Sequence, residues 1–214
     1  MSKKAVFLII FFSVLVIGFF IAITYFIPSF GKPFIKPISK VEQFSFINQD
    51  GKTVTEEAIQ GKVVAVNFFF TTCKGICPKM NNNLKSIYQK FQNEPGVLLL
   101  SHTSDPERDS AVVLKHFADS LGVDTNKWIF LTGRKDSLYS AARHIYKIDD
   151  PQNFVQDIND DFLHTQFVAL VNKKGHVVQI FDGLKQAEMK ELEQKIQALV
   201  KVLEFFVRVL SFQL

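Results

Sequence analysis

Two cysteines that stand four positions apart are the residues of this sequence best suited to chemistry. Cys73 and Cys77 are the only cysteines in the chain, and Pro78 follows directly. Cys77 lies at the entry of a predicted helix, where the helix dipole and free backbone N–H groups favour a thiolate, although the following proline biases it away from helical geometry. Gly75 is expected to give the backbone the freedom to turn the two sulfurs toward each other. Two converging thiolates form either a dithiol redox couple or two ligands of a metal ion.

The spacing of the cysteines helps to separate these alternatives. Thioredoxin-type oxidoreductases place two residues between their cysteines, whereas three residues separate Cys73 from Cys77. The roomier loop favours a metal site modestly over a redox couple. A structural disulfide is a further alternative, although so small a loop would remove little entropy from the unfolded chain. With two cysteines, a scaffold held by several disulfides is excluded.

The segments on either side of the cysteines predict a strand and a helix. Residues 63–70 form a nearly unbroken apolar run, which predicts a strand that is covered on both faces and ends at the cysteines. Pro78 can occupy the first turn of a helix that runs to about Asn93. A second strand is predicted at 97–102. The cysteines therefore stand in a turn between a buried strand and a helix.

The same alternation continues along the chain. Asp105 is predicted to open a helix that runs through about Leu121, with Asp105 as its N-cap and Arg108 as a first-turn charge. A third buried strand is predicted at 128–132, and a further helix at 136–145. This order is typical of an α/β fold in which the strand-to-helix turns carry the chemistry.

Two hairpins and one long loop complete the domain. Residues 44–55, with a turn at Asp50 and Gly51, and residues 167–181 each predict a pair of antiparallel strands. The fold class is therefore α/β, with a mixed sheet flanked by helices on both faces. Residues 149–163 are acidic and show no clear periodicity, so we predict a loop there, and long loops in compact domains are often functional.

The N-terminus predicts a membrane anchor. Residues 5–27 contain no charged side chain, and about 20 apolar residues suffice to span a bilayer as a helix. A cleaved signal peptide has a shorter apolar region followed by a small-residue cleavage site, which is not seen here. Lys3 and Lys4 predict that residues 1–4 stay in the cytoplasm. The protein is thus expected to cross the inner membrane once, with its domain in the periplasm or an equivalent extracytoplasmic space.

The rest of the chain divides into three parts. Residues 28–40 contain Pro28, Pro33 and Pro37 and are interpreted as a spacer between the membrane and the domain. Residues 41–198 are the predicted domain. Residues 199–214 are predicted to form an amphipathic C-terminal helix, which either packs on the sheet or lies on the membrane or a partner.

Several motifs, taken in order, resemble those of the Sco/SenC family of membrane-anchored, thioredoxin-like copper proteins, which are connected with assembly of the copper site of cytochrome c oxidase. The similarity extends from Phe44 to about Lys195. Its signs are the Gly51-Lys52 and Gly61-Lys62 turns, Cys-x-x-x-Cys-Pro at 73–78, Ser-Asp-Pro-Glu-Arg-Asp at 104–109, the strand at 128–133, and His164-Thr165 before the strand at 167. The resemblance implies a thioredoxin-like fold.

The resemblance also implies a function and a set of ligands. In the family two cysteines and a later histidine bind copper, and these fall on Cys73, Cys77 and His164. Two soft thiolates and one imidazole suit Cu(I), and with added ligands they can hold Cu(II). Leu163 stands where the family usually carries an aspartate. The implied function is that of a metallochaperone that delivers copper to the copper-binding subunit of cytochrome c oxidase or to another copper-receiving protein.

The same residues also suit other functions. A thiol:disulfide reductase acting through Cys73 and Cys77 on a target's cysteines is the alternative from the enzyme class, and a redox or copper sensor is a third. His102, at the end of a strand, is expected to be solvated more often than to touch the site. Acidic residues are scattered among the lysines, so the formal charge of +4 does not indicate nucleic-acid binding.

Overall fold

The computed structural model describes residues 2–26, 36–149 and 165–211, apart from the side chains at 21, 23–26 and 202–211. It divides into two compact units, residues 1–35 and residues 36–214. The described part of the first unit is one helix, α1 (Lys3–Phe26). Its segment Lys3–Phe20 is long and apolar enough to cross a membrane, although a signal sequence would meet the same criteria. Retention and orientation of this helix stay predictions.

The second unit is built on a mixed sheet of eight strands. The strands are β1 (Ser39–Lys40), β2 (Ser45–Asn48), β3 (Thr53–Thr55), β4 (Val63–Phe69), β5 (Val97–Thr103), β6 (Trp128–Thr132), β7 (Phe167–Val171) and β8 (His176–Asp182). They lie in the order β1-β8-β7-β4-β5-β6-β2-β3. Strands β4, β5 and β6 are parallel, and the other pairs are antiparallel. The predicted mixed sheet is confirmed, and β1 adds the last residues of the predicted spacer to its edge.

Helices cover both faces of the sheet, as predicted. They are α2 (Cys77–Phe91), α3 (Ala111–Leu121), α4 (Lys135–Ser140, continued by a π-helical turn at Ala141–Ile145) and α5 (Gln186–Ser211). One buried cluster joins α2, α3 and α5 to the sheet, and a second lies beneath α4 and the β2–β3 hairpin. The predicted C-terminal helix is the end of α5, whose described backbone stops at Ser211.

Strand β4 is the centre of this sheet and positions the cysteines. All seven of its residues are buried, because β5 and β7 flank it and helices cover both faces. The apolar run that predicted this strand is therefore explained by burial on every side. Strand β7 runs antiparallel to β4, with Val168 opposite Asn67. This register brings the chain just before Phe167 alongside the chain just after Phe69.

The helix predicted to begin at Asp105 begins six residues later. Its first residue is Ala111, and Ser110 is the N-cap, with its hydroxyl accepting a hydrogen bond from the Val113 amide at 3.4 Å. The assignment of Asp105 as N-cap is thus wrong. Asp105 precedes a proline, which disfavours helical geometry, and its carbonyl instead accepts a hydrogen bond from the Arg108 amide in a tight turn. The predicted loop at 149–163 lies, from residue 150 onward, outside the described residues.

Candidate metal and thiol site

Residues 70–76, which we call the cysteine loop, join β4 to α2. Cys73 is half-buried in this loop and Cys77 is buried, and both are free thiols. Cys77 is the first residue of α2, because the Met80 amide donates to the Ile76 carbonyl at 3.0 Å and closes the first helical turn around it. The predicted bias of Cys77 away from helical geometry is therefore wrong. Pro78 is tolerated there because a first-turn N–H has no partner within the helix.

Gly75 does not have the role predicted from the sequence. Its backbone is not among the positive-φ glycines, and a Cβ atom added to it would meet nothing within 4 Å. An alanine would thus fit without strain or collision. The conformation of the cysteine loop must be set by other contacts.

The two thiols differ in their environments. Burial raises the pKa of Cys73, but hydrogen bonds from the Cys77 side chain and from backbone amides of the loop outweigh it, so that this pKa lies below 9.0. Burial, together with the hydrogen bond to Cys73, raises the pKa of Cys77 to about 12. Cys73 is therefore the more readily ionised and the more accessible sulfur. Such an asymmetry is typical of a nucleophilic cysteine beside a buried partner.

A small cavity adjoins the buried thiol. Its volume is about 10 Å³, which is at the lower limit for holding one water molecule. Its walls are Phe68, Phe69, Phe70, Ile76, Cys77, Ser104 and Thr165. The pairing of β7 with β4 places Thr165 at this cavity. The hydroxyl of Thr165 donates a hydrogen bond to the Ile148 carbonyl at 2.7 Å. The segment before β7 and the cysteine loop therefore meet at one cavity.

The predicted third ligand cannot be located in the same way. His164 and Leu163 lie outside the described residues, which resume at Thr165. Within the described part of the chain, no group of three or more histidine, cysteine or acidic side chains is arranged to hold a metal ion. The thiols of Cys73 and Cys77 are thus two of the donors that a soft metal would need, and a third would have to come from elsewhere.

His102 is buried rather than solvated. Its ring has no exposed surface and stacks on Phe68, with the ring centroids 4.8 Å apart. The rings of Phe44, Phe46 and Tyr146 pack around it, on the sheet face that carries α4. Cys77 belongs to the cluster on the opposite face. The structure therefore does not bring His102 to the cysteines, although the expectation of a solvated residue is wrong.

A buried carboxylate that the sequence interpretation did not single out supports the cysteine loop. Asp109 has no exposed surface, and it accepts hydrogen bonds from the amide and the hydroxyl of Thr71 and from the hydroxyl of Thr103. The sequence offered one signal for Asp109, which is its position just before the N-cap and at the end of the Ser-Asp-Pro-Glu-Arg-Asp run. The charges of Asp105 and Arg108 suit a helix start, so the prediction for this run rested on them and not on Asp109.

Comparison with known proteins identifies the family. The family model described as SCO1/SenC matches residues 35–201, which is well over half of the chain. The chain belongs to the SCO1/SenC family. The SCO1 protein homolog of Bacillus subtilis is 30% identical over 163 residues, covering 74% of this chain and 82% of the relative. The predicted family is thereby confirmed.

Solved structures of the family share the fold. BsSco, a member of the Sco family of cytochrome c oxidase assembly proteins in which a disulfide switch was identified, is 29% identical with a TM-score of 0.64, covering 78% of this chain and 96% of that one. Yeast Sco1, solved with copper bound, is 24% identical with a TM-score of 0.57, covering 78% and 94%. The thioredoxin-like fold that the resemblance implied is confirmed.

Proposed function

We propose that this SCO1/SenC protein binds copper through Cys73 and Cys77 and passes it to a copper-receiving protein, such as the copper-binding subunit of cytochrome c oxidase. The observation that carries the proposal is the placement of two free thiols, Cys73 in the cysteine loop and Cys77 at the start of α2, with Cys77 beside a small cavity. Thiolates are soft donors that select Cu(I). Membership of the family supports the choice of copper over other soft metals.

His164 is proposed as the third ligand. Thr165, the next residue in the chain, lines the same cavity as Cys77. In the β4–β7 register Val168 lies opposite Asn67, so the described chain before β7 lies near the end of β4 that leads into the cysteine loop. Two thiolates and one imidazole complete a three-coordinate Cu(I) site.

Transfer of copper would proceed by exchange of ligands. Cys73 is the more exposed thiol and Cys77 is buried. An incoming donor from the receiving protein can therefore displace Cys73 first, while Cys77 keeps hold of the metal. A metal that is never released to water is protected from the other ligands of the compartment.

The membrane location is proposed from α1. This helix is a candidate span, and Lys3 and Lys4 precede its apolar part. Positive charges stay on the cytoplasmic side, so the domain would face the periplasm or an equivalent space. An anchor of this kind would hold the cysteines near membrane-bound receivers.

Copper titration of the reduced domain tests the proposal. The fragment that begins at Lys36, purified anaerobically, is expected to bind one Cu(I) per chain in competition with a chromogenic chelator. Cys77→Ser should abolish this binding because one thiolate and one imidazole are a weak Cu(I) site. Gly75→Ala is the matched control in the same loop and should bind as the parent does, since its Cβ has open space. Binding that survives Cys77→Ser would refute the proposed site.

A second function, thiol:disulfide exchange with a target's cysteines, is favoured by the asymmetry of the two thiols. Cys73 combines partial exposure with a lowered pKa, whereas Cys77 has a raised pKa and is buried. A low pKa and accessibility are what an attacking cysteine requires. The same residues could therefore reduce a receiving protein's cysteines before it takes up copper.

Alkylation of the native, metal-free protein tests this asymmetry. Iodoacetamide is expected to modify Cys73 at least about tenfold faster than Cys77 near neutral pH, because thiolate fraction and access both favour Cys73. Trypsin cleaves after Lys74 and Lys79, so the two cysteines fall on separate peptides that mass spectrometry can quantify. Equal alkylation rates of Cys73 and Cys77 in the folded protein would rule out a preferred attacking thiol. As a control, the two rates should become equal when the protein is unfolded in urea.

A further inference from the structure

A single buried carboxylate connects the ends of two central strands at the edge that carries the cysteines. One oxygen of Asp109 accepts hydrogen bonds from the Thr71 amide at 3.0 Å and the Thr103 hydroxyl at 2.6 Å. Its other oxygen accepts a hydrogen bond from the Thr71 hydroxyl. Thr103 is the last residue of β5 and in turn accepts a hydrogen bond from the Asp105 amide at 2.9 Å. The carboxylate thus joins the cysteine loop, β5 and its own turn.

The position of Thr71 makes this contact relevant to the thiols. Thr71 stands two residues before Cys73, and both of its polar hydrogens point to Asp109. The next backbone contact along the loop is the hydrogen bond from the Cys73 amide to the Phe70 carbonyl at 3.2 Å. The direction in which the chain leaves β4 therefore depends on Asp109. Gly75 imposes no such constraint, because its backbone is unstrained and its surroundings are open.

We infer that Asp109 is a positioning residue for the thiol site, which it serves by holding Thr71 and, through Thr71, the spacing between Cys73 and Cys77. Its effect on copper rests on the proposed function, whereas its effect on the thiol pair needs only the two cysteines. An acidic side chain with no exposed surface is costly unless hydrogen bonds compensate for the lost water, and three such bonds are directed here. Two of those three stabilise the loop rather than the helix that Asp109 precedes.

The variant Asp109→Asn separates positioning from packing. Asparagine has the same shape but no charge, and its amide nitrogen donates where a carboxylate oxygen accepted. The hydrogen bond from the Thr71 hydroxyl must therefore be reversed or lost, and the bonds from the Thr71 amide and the Thr103 hydroxyl lose the strength that a charged acceptor gives them. We expect the affinity for Cu(I) to fall by about tenfold to a hundredfold, as it does when residues that orient metal ligands are removed. We also expect the dithiol–disulfide equilibrium constant of the cysteine pair against dithiothreitol to change by at least about tenfold, because this constant depends on loop geometry.

A matched control is available in a second buried polar cluster. Ser101 also has no exposed surface, donates to the Asn67 side chain at 2.6 Å and accepts from the Trp128 indole at 2.7 Å. Ser101→Ala should lower the stability of the domain as Asp109→Asn does, but it should leave the copper affinity and the dithiol equilibrium unchanged. Thr71→Val, which removes the hydroxyl and keeps the amide, should shift both readouts in the direction of Asp109→Asn by a smaller factor.

The outcomes distinguish this inference from the proposed function. A change in the dithiol equilibrium without any copper binding by the parent protein would support the role of Asp109 and refute the metal site. If Asp109→Asn is less stable than the parent but keeps the dithiol–disulfide equilibrium constant of the parent, the inference is overturned. An equal shift of that constant in Ser101→Ala would overturn it as well. The measurements use the fragment from Lys36 under anaerobic conditions, with unfolding in urea recorded for every variant.

Discussion

Replacing His164 with alanine is expected to lower the affinity for Cu(I) by at least about 100-fold, which exceeds the usual effect of removing a residue that only orients a ligand. The expectation follows from the proposed site. Without the imidazole, Cys73 and Cys77 would bind the metal with two donors, and water or buffer would have to supply the third. Competition with a chromogenic chelator measures the loss directly.

The same variant should leave exchange with dithiols close to that of the parent. Cys73 and Cys77 keep their loop and their mutual hydrogen bond, and those contacts set their reactivity. A protein whose copper binding falls while its thiol exchange persists has separate requirements for the two activities. Thus His164→Ala distinguishes a copper carrier from a thiol:disulfide reductase, which Cys77→Ser cannot do.

His176→Ala is a suitable control for this experiment. His176 begins β8 and pairs with Lys40, at the end of the sheet opposite the cysteine loop. Its replacement should change neither copper binding nor thiol exchange. If His164→Ala bound copper as tightly as the control does, His164 would have to be removed from the proposed ligand set.

Replacing His102 with leucine is expected to make the stability of the domain much less dependent on pH in the acidic range. Burial lowers the pKa of His102 to about 3, so the folded protein keeps this ring neutral. In the unfolded chain the ring takes up a proton below about pH 6.5. The unfolded state therefore binds more protons than the folded state between these two values, and the free energy of unfolding falls as the pH is lowered through them.

His102 alone should make the free energy of unfolding depend steeply on pH. The parent should lose about 1 kcal/mol for each pH unit in that range, and so about 3 kcal/mol between pH 7 and pH 4, from His102 alone. The His102→Leu variant should not show this loss of stability between pH 7 and pH 4. At pH 7 the variant should be at least as stable as the parent, because neither nitrogen of the His102 ring has a hydrogen-bond partner within the described residues. Urea unfolding from pH 7 to pH 4 measures both quantities.

Tyr146→Phe provides the comparison for His102. The Tyr146 ring packs against that of His102, with centroids 5.4 Å apart, and its hydroxyl is also buried without a partner among the described residues. Phenylalanine keeps the ring and leaves the histidine in place. The pH dependence should therefore remain in Tyr146→Phe and disappear in His102→Leu. A parent-like slope in the leucine variant would show that His102 is not the group responsible.

The parts of this fold that could be predicted were those in which local pattern and burial agree. Strand β6 lies at Trp128–Thr132, as predicted, and β4 ends within one residue of its predicted end. Both are apolar runs with a clear beginning and end. The start of α3 was predicted at Asp105, whereas the following proline disfavours helical geometry there and Ser110 is the N-cap. The role of Asp109 could not be predicted, because no local pattern reports its contact with Thr71, 38 residues earlier in the chain.

The site could be predicted in composition but not in arrangement. The pairing of Cys73 with Cys77 could be inferred from spacing alone, whereas their unequal burial depends on how α2 packs against the sheet. The placement of His102 could not be inferred because all seven residues of β5 are buried. A strand without alternation between apolar and polar residues gives no sign of which side chains share a face.

The register of β7 against β4 also has a consequence for how the protein is made. The cysteine loop and Thr165 line one cavity, yet Thr165 is synthesised almost ninety residues after Cys77. Until β7 has emerged and paired, β4 lacks one of its two neighbours and the cavity lacks one wall. A nascent chain therefore presents its thiols to oxidants before it has a completed pocket. The pocket beside Cys77 is thus one of the last parts of the domain that the growing chain can complete.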